Sequence, residues 1–154
     1  MKQDISITKS INYLAIFFQS IFLLLLYLLF IQSGSDEPLV WSAMIYLSLA
    51  YSLRYFVPVD HRKGLRELNA GHYEAALNSF SNSYEFFNRY KWIDKYRSLT
   101  VFSASSLTYR EIALLCKAQI LEHENQDEEA KACYEKCLKE FPGNKIALEA
   151  LKML

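Results

Sequence analysis

The chain has 154 residues, with 17 basic and 17 acidic side chains and a hydrophobic fraction of 52%. Zero formal charge removes the basic excess on which nucleic-acid binding depends. With four glycines in all, there is little material for a phosphate-cradling or catalytic loop framework.

The apolar residues are unevenly placed. No charged side chain occurs from Ser10 to Ser35 or from Pro38 to Leu53, whereas the chain from Pro58 onward carries 14 basic and 14 acidic residues. This division predicts an apolar environment for the first third and water for the rest. Ile11 to Ile31 is dominated by Ile, Leu, Phe and Tyr, interrupted by Asn12, Gln19 and Ser20. At about 1.5 Å per residue, a helix of this length matches a hydrocarbon core of about 30 Å, so a transmembrane span is expected. A cleaved signal peptide is the alternative, and Phe30-Ile31-Gln32-Ser33 suits a processing site poorly.

Ser33 to Pro38 then breaks the helix, with Ser35 as expected N-cap and Pro38 at a position that needs no intrahelical donor. Leu39 to Val57 is expected as a second span, with Trp41, Tyr51 and Tyr55 as interface anchors and Arg54 snorkelling near its end. Its alternative is a buried helix in water, since Ser42, Ser48 and Ser52 dilute the apolarity. Lys2 and Lys9 precede the first span, and Arg54, Arg62, Lys63 and Arg66 flank the second. The short connection carries Asp36 and Glu37 without Lys or Arg, so the positive-inside rule places both termini in the cytoplasm.

Residues 111–144 read as one unit of two amphipathic helices broken near Glu124-Asn125-Gln126. Leu114, Ala118 and Leu121 share a face of the first, and Ala130, Cys133, Tyr134, Cys137, Leu138 and Phe141 recur at helical spacing in the second. Thr108 and Glu111 have capping-box spacing, Pro142-Gly143 stops the second helix, and Asn144 is placed to cap the next. Gly64, Gly71, Tyr73, Ala76 and Phe80 form a looser copy upstream, and Ala76 lies 54 residues before Ala130. The excess over one repeat falls around Lys91 to Ser106, where Ser98 to Ser106 is rich in Ser and Thr and predicts a loop.

On these residues the segment resembles the tetratricopeptide repeat (TPR). Ala118 and Ala130 match its small residues, Tyr134 its aromatic plug and Pro142 its terminal proline, while Leu114 stands where the family often has Trp and Lys117 where it prefers Leu. The expected architecture is all-α: a two-helix transmembrane hairpin over 1–57, with spans about 11–31 and 39–57, then a short TPR-like α-solenoid over 58–154. That solenoid comprises repeats about 57–90 and 111–144, an insert at 91–110 and a C-terminal capping helix at 145–154. The resemblance implies a concave peptide-binding face lined by His61, Leu65 and Asn69, then Leu115, Gln119 and Glu122. These residues do not reproduce the Lys and Asn clamp that grips acidic tails, so an apolar or mixed helix or peptide is the expected ligand. Two repeats with a cap make a small array, so further support is expected from the insert, the second span's end or a homo-oligomer.

The aromatic run Tyr84, Phe86, Phe87, Tyr90, Trp92 and Tyr96 is denser than packing requires, and Phe87, Tyr90, Trp92 and Tyr96 are a candidate interface. Cys116, Cys133 and Cys137 lack a CxxC pair and read as core thiols, so neither a metal nor a cofactor is expected. His61, His72 and His123 lie near predicted helix starts, turns or ends, where exposed polar roles are expected. No catalytic motif is present, and no enzyme is expected. The expected role is a membrane-tethered protein-interaction adaptor or scaffold, with the lipid bilayer and a protein as partners. The alternative is an accessory subunit of a larger membrane complex held mainly by its hairpin.

Overall fold

The computed structural model describes residues 13–103 and 105–154. In chain order its helices are α1 (Tyr13–Gln32), α2 (Pro38–Phe56), α3 (Val59–Asn69), α4 (Tyr73–Arg89), α5 (Lys91–Lys95), α6 (Arg97–Thr100), α7 (Tyr109–His123), α8 (Asp127–Glu140) and α9 (Lys145–Ala150). The architecture is all-α, and the chain divides into two compact units.

One unit is built from residues 59–91 and 107–154. In it α3 packs on α4, α4 on α7, α7 on α8 and α8 on α9, so two helical hairpins stack in series. Both hairpin turns close by the same device. Gly71 has φ +80°, the His72 amide donates to the Glu67 carbonyl at 2.9 Å, and the Gly71 amide donates to Leu68 at 3.0 Å. Fifty-four residues on, Asn125 has φ +60°, Gln126 donates to Leu121 at 2.9 Å, and Asn125 donates to Glu122 at 3.1 Å. Each is a Schellman turn, which satisfies the last carbonyls of a helix through one left-handed residue.

The same interval relates Gly64 to Ala118, Ala76 to Ala130, and Phe80 to Tyr134. All six are buried. A Cβ on Gly64 would lie 3.0 Å from Phe80 Cδ1 and Cε1, so the glycine is what lets α3 approach α4. The helix starts are chemically specified. Thr108 and Glu111 cap α7 reciprocally, and Asn144 Oδ1 accepts the Ala147 amide at 2.9 Å to begin α9. Glu111 Oε1 also accepts from Asn144 Nδ2 at 3.3 Å, so one buried carboxylate joins the two caps.

The other unit is built from the α1–α2 pair and residues 92–106. Among the described residues no helix is long and apolar enough to cross a membrane. The transmembrane hairpin expected over 11–31 and 39–57 and the integral two-span localisation are therefore corrected. The inference of two cytoplasmic termini falls with the spans. Ile11 and Asn12, which open the expected first span, and Lys2 and Lys9, on which the orientation rested, lie outside the described residues.

Local chemistry accounts for part of the difference. Three serines and Arg54 dilute α2. Arg54, expected at lipid headgroups, instead donates through Nε at 3.0 Å and through Nη2 to the Phe102 carbonyl of its own unit. Gln19 is buried and donates from Nε2 to the Ser98 carbonyl at 3.1 Å. Ser35 is not the N-cap of α2. Glu37 holds that position without a side-chain bond, and Pro38 is the first helical residue.

Residues 91–106, expected as an appendage of the repeats, are partly helical and, from Trp92 on, belong with the hairpin. α6 packs on α1. Arg97 ties the excursion to itself: Nη2 donates to the Ser105 and Ser106 carbonyls at 2.9 and 2.6 Å, and Nη1 to Asp94 at 3.3 Å. Thr100 Oγ1 donates to the Ile93 carbonyl at 2.7 Å.

Candidate functional site

The six residues assigned to a ligand-binding face divide into two sets. Leu65 and Asn69 are exposed on α3, and Gln119 and Glu122 are half-buried on α7. His61 and Leu115 are buried, Leu115 completely, and belong to the packing of the unit. His61 was expected to be exposed, and the structure corrects this. Its ring meets Phe80 at 5.7 Å and Tyr109 at 5.0 Å, both edge-to-face, and Nδ1 has no hydrogen-bond partner. Burial lowers its pKa to about 4, because a charged imidazole in this position loses water without gaining a counter-charge.

Within α7, the Gln119 side-chain oxygen is buried and unpartnered, whereas Glu122 Oε2 accepts from the Tyr134 hydroxyl at 3.2 Å. Burial, followed by the charge and hydrogen bond of Glu122, raises the Tyr134 pKa and keeps that phenol a donor. Of the α3–α7 positions, Leu65, Asn69, Gln119 and Glu122 are therefore the ones with surface to offer a ligand.

The aromatic run also separates. Phe87 is buried and stacks on Tyr109 with ring centroids 4.6 Å apart and planes at 9°. Tyr90, Trp92 and Tyr96 are exposed, Trp92 by 59%. Tyr90 belongs to the unit of residues 59–91 and 107–154, whereas Trp92 and Tyr96 belong to the hairpin unit.

A polar network absent from the sequence reading lies across α4, α7 and α8. Arg110 Nη1 pairs with Glu140 Oε2 at 3.2 Å, Glu140 Oε1 accepts from the Tyr84 hydroxyl, and Lys136 Nζ sits 4.2 Å above the Tyr84 ring. Burial, then the bond to Glu140, raises the Tyr84 pKa. Together these contacts link α4, α7 and α8 through charged and polar side chains.

Chemistry elsewhere is sparse. Burial pushes the Cys116 and Cys137 thiols up to about 12, so both stay protonated at neutral pH. Among the described residues no group of three or more His, Cys, Asp or Glu is placed to hold a metal ion. In the hairpin unit Phe17, Leu24, Leu25, Leu29, Leu47, Tyr51 and Phe56 are each at least half exposed. No family model, no curated protein and no solved structure matches the chain.

Proposed function

We propose that the unit formed by residues 59–91 and 107–154 is a protein-binding scaffold of the tetratricopeptide type and has no enzymatic role. The observation that carries this reading is the repetition at 54 residues: equivalent Schellman turns at Gly71 and Asn125, small contacts at Gly64 and Ala118 and at Ala76 and Ala130, and buried rings at Phe80 and Tyr134. Stacked hairpins of this kind use a concave face for recognition. Here that face offers Leu65 and Asn69 with Gln119 and Glu122, a mixed apolar and polar surface for a helix or extended peptide.

The exposed apolar side chains of α1 and α2 favour a second reading, in which the chain is an accessory subunit of a larger assembly gripped through the hairpin unit. Site-specific photo-crosslinking in the full chain separates the two. Crosslinks to one protein from positions 69 and 119, but not from 25 and 47, support the scaffold. The converse pattern supports the subunit reading, and silence at all four positions contradicts both.

A further inference from the structure

We infer that the stretch Arg97–Ser103 is a detachable clasp on the α1–α2 pair, keyed by the Phe102 ring and locked by Arg54. Phe102 has φ +51°. In this left-handed region the Cβ of an ordinary residue crowds the following carbonyl oxygen, and the conformation survives only where its surroundings over-determine it.

Those surroundings are specific. The ring is 3% exposed and meets Phe22 of α1 at 5.8 Å and Tyr46 of α2 at 5.4 Å, with Phe22 and Tyr46 themselves 6.4 Å apart. Its carbonyl oxygen takes both Arg54 donors. Four residues earlier, the Ser98 carbonyl takes the Gln19 amide. One side chain thus bridges two helices, and one polar group from each helix holds the bridging segment by its backbone.

Gln19 and Phe22 lie in the first half of α1, Tyr46 is at the middle of α2, and Arg54 is in its last turn. Gln19 and Arg54 lie toward the end of the antiparallel pair away from the connection at Ser33–Glu37, and Phe22 and Tyr46 near its middle. That connection fastens one end of the pair, and the clasp fastens the other. Docking the clasp and closing this end of the pair are consequently one event, because Phe22 and Tyr46 share Phe102 as common neighbour. The backbone conformation stored at Phe102 and the dependence of the lock on side chains set the clasp to open before the helices unfold. Opening uncovers Val101 and Phe102, both buried when closed, together with the inner faces of Phe22 and Tyr46.

Hydrogen exchange by mass spectrometry on the full chain tests this with Arg54→Gln, Arg54→Lys and Phe102→Ala. Arg54→Gln and Phe102→Ala are expected to raise exchange at least ten-fold in 97–103, and also in 13–22 and 46–56. Residues 25–44 and α7 should keep wild-type rates, which distinguishes clasp opening from general unfolding. Arg54→Lys keeps the charge but loses the planar two-donor grip, and an intermediate rise is expected. Unchanged rates in 97–103 would overturn the inference. So would a rise in 97–103 that leaves 13–22 and 46–56 untouched, a uniform rise that includes α7, or a lysine variant indistinguishable from wild type.

Discussion

His61 makes the unit of residues 59–91 and 107–154 sensitive to acid, and the size of the effect follows from its surroundings. The imidazole is 4% exposed between Phe80 and Tyr109, and its pKa falls from 6.5 to about 4 on folding. The unfolded chain therefore takes up a proton first as pH drops. This residue's stability contribution is intact above about pH 6.5, declines below it, and levels off once the folded form also protonates near pH 4. At about 1.4 kcal/mol per pKa unit the full loss is about 3 kcal/mol, of which about 2 kcal/mol develops between pH 7 and pH 5.

Urea unfolding of the full chain followed by hydrogen exchange in α3, α4 and α7, corrected for intrinsic rates, measures the loss. The His61→Leu variant removes the titrating group, so the quantity of interest is the difference in pH slope between the two proteins. Proton NMR of the His61 ring gives an independent midpoint near pH 4. Equal slopes in the two proteins, or a midpoint close to 6.5, would refute the argument from burial.

Two substitutions probe other parts of the same unit. Gly64→Ala places a Cβ 3.0 Å from the Phe80 ring and is expected to destabilise by about 1–3 kcal/mol, read as a lower urea midpoint with unchanged slope. Asn144→Ala removes both the α9 cap and the bond to Glu111, at a cost of about 1–2 kcal/mol. Its signature is faster exchange at the start of α9, and a loss confined to α8 would contradict the assignment.

What the sequence made legible is mostly local chemistry. The Thr108–Glu111 box, the Asn144 cap, the turn around Asn125 and the small residues Ala76, Ala118 and Ala130 all act within a few residues or along one helix face, and the structure contains each of them. Contacts across long separations were not legible. Arg54 and Phe102 are 48 residues apart, and nothing near either one marks the other as its partner. A lone cation closing an apolar helix was a signal, but composition alone does not say whether headgroups or a backbone carbonyl receive it. His61 and Leu115 show the same limit from another side. A helical face can be assigned from spacing, yet spacing does not reveal what packs against it, and here rings and aliphatic side chains do. The spans failed in the same way, since apolarity counted along a sequence leaves out the polar groups that the fold engages, such as Gln19 and Arg54.

The excursion at 92–106 poses a physical question, because a long interruption between two hairpins ought to separate them. It does not, because the hairpins touch directly. α4 packs on α7, Phe87 stacks on Tyr109, and Arg110 reaches Glu140 on α8. The entropic cost of a closed loop grows only slowly with length, by about 0.6 kcal/mol per doubling, so contacts of this kind suffice to hold the ends together. Replacing 92–106 by a Gly/Ser linker of equal length is therefore expected to leave exchange protection in α4, α7 and α8 within about two-fold of wild type, a difference of about 0.4 kcal/mol. The same replacement removes Phe102 and the carbonyls that Gln19 and Arg54 engage, so protection in the first half of α1 and the second half of α2 should fall sharply. Loss of protection in α4 and α7 instead would mean that the excursion, and not the α4–α7 interface, keeps the hairpins in series.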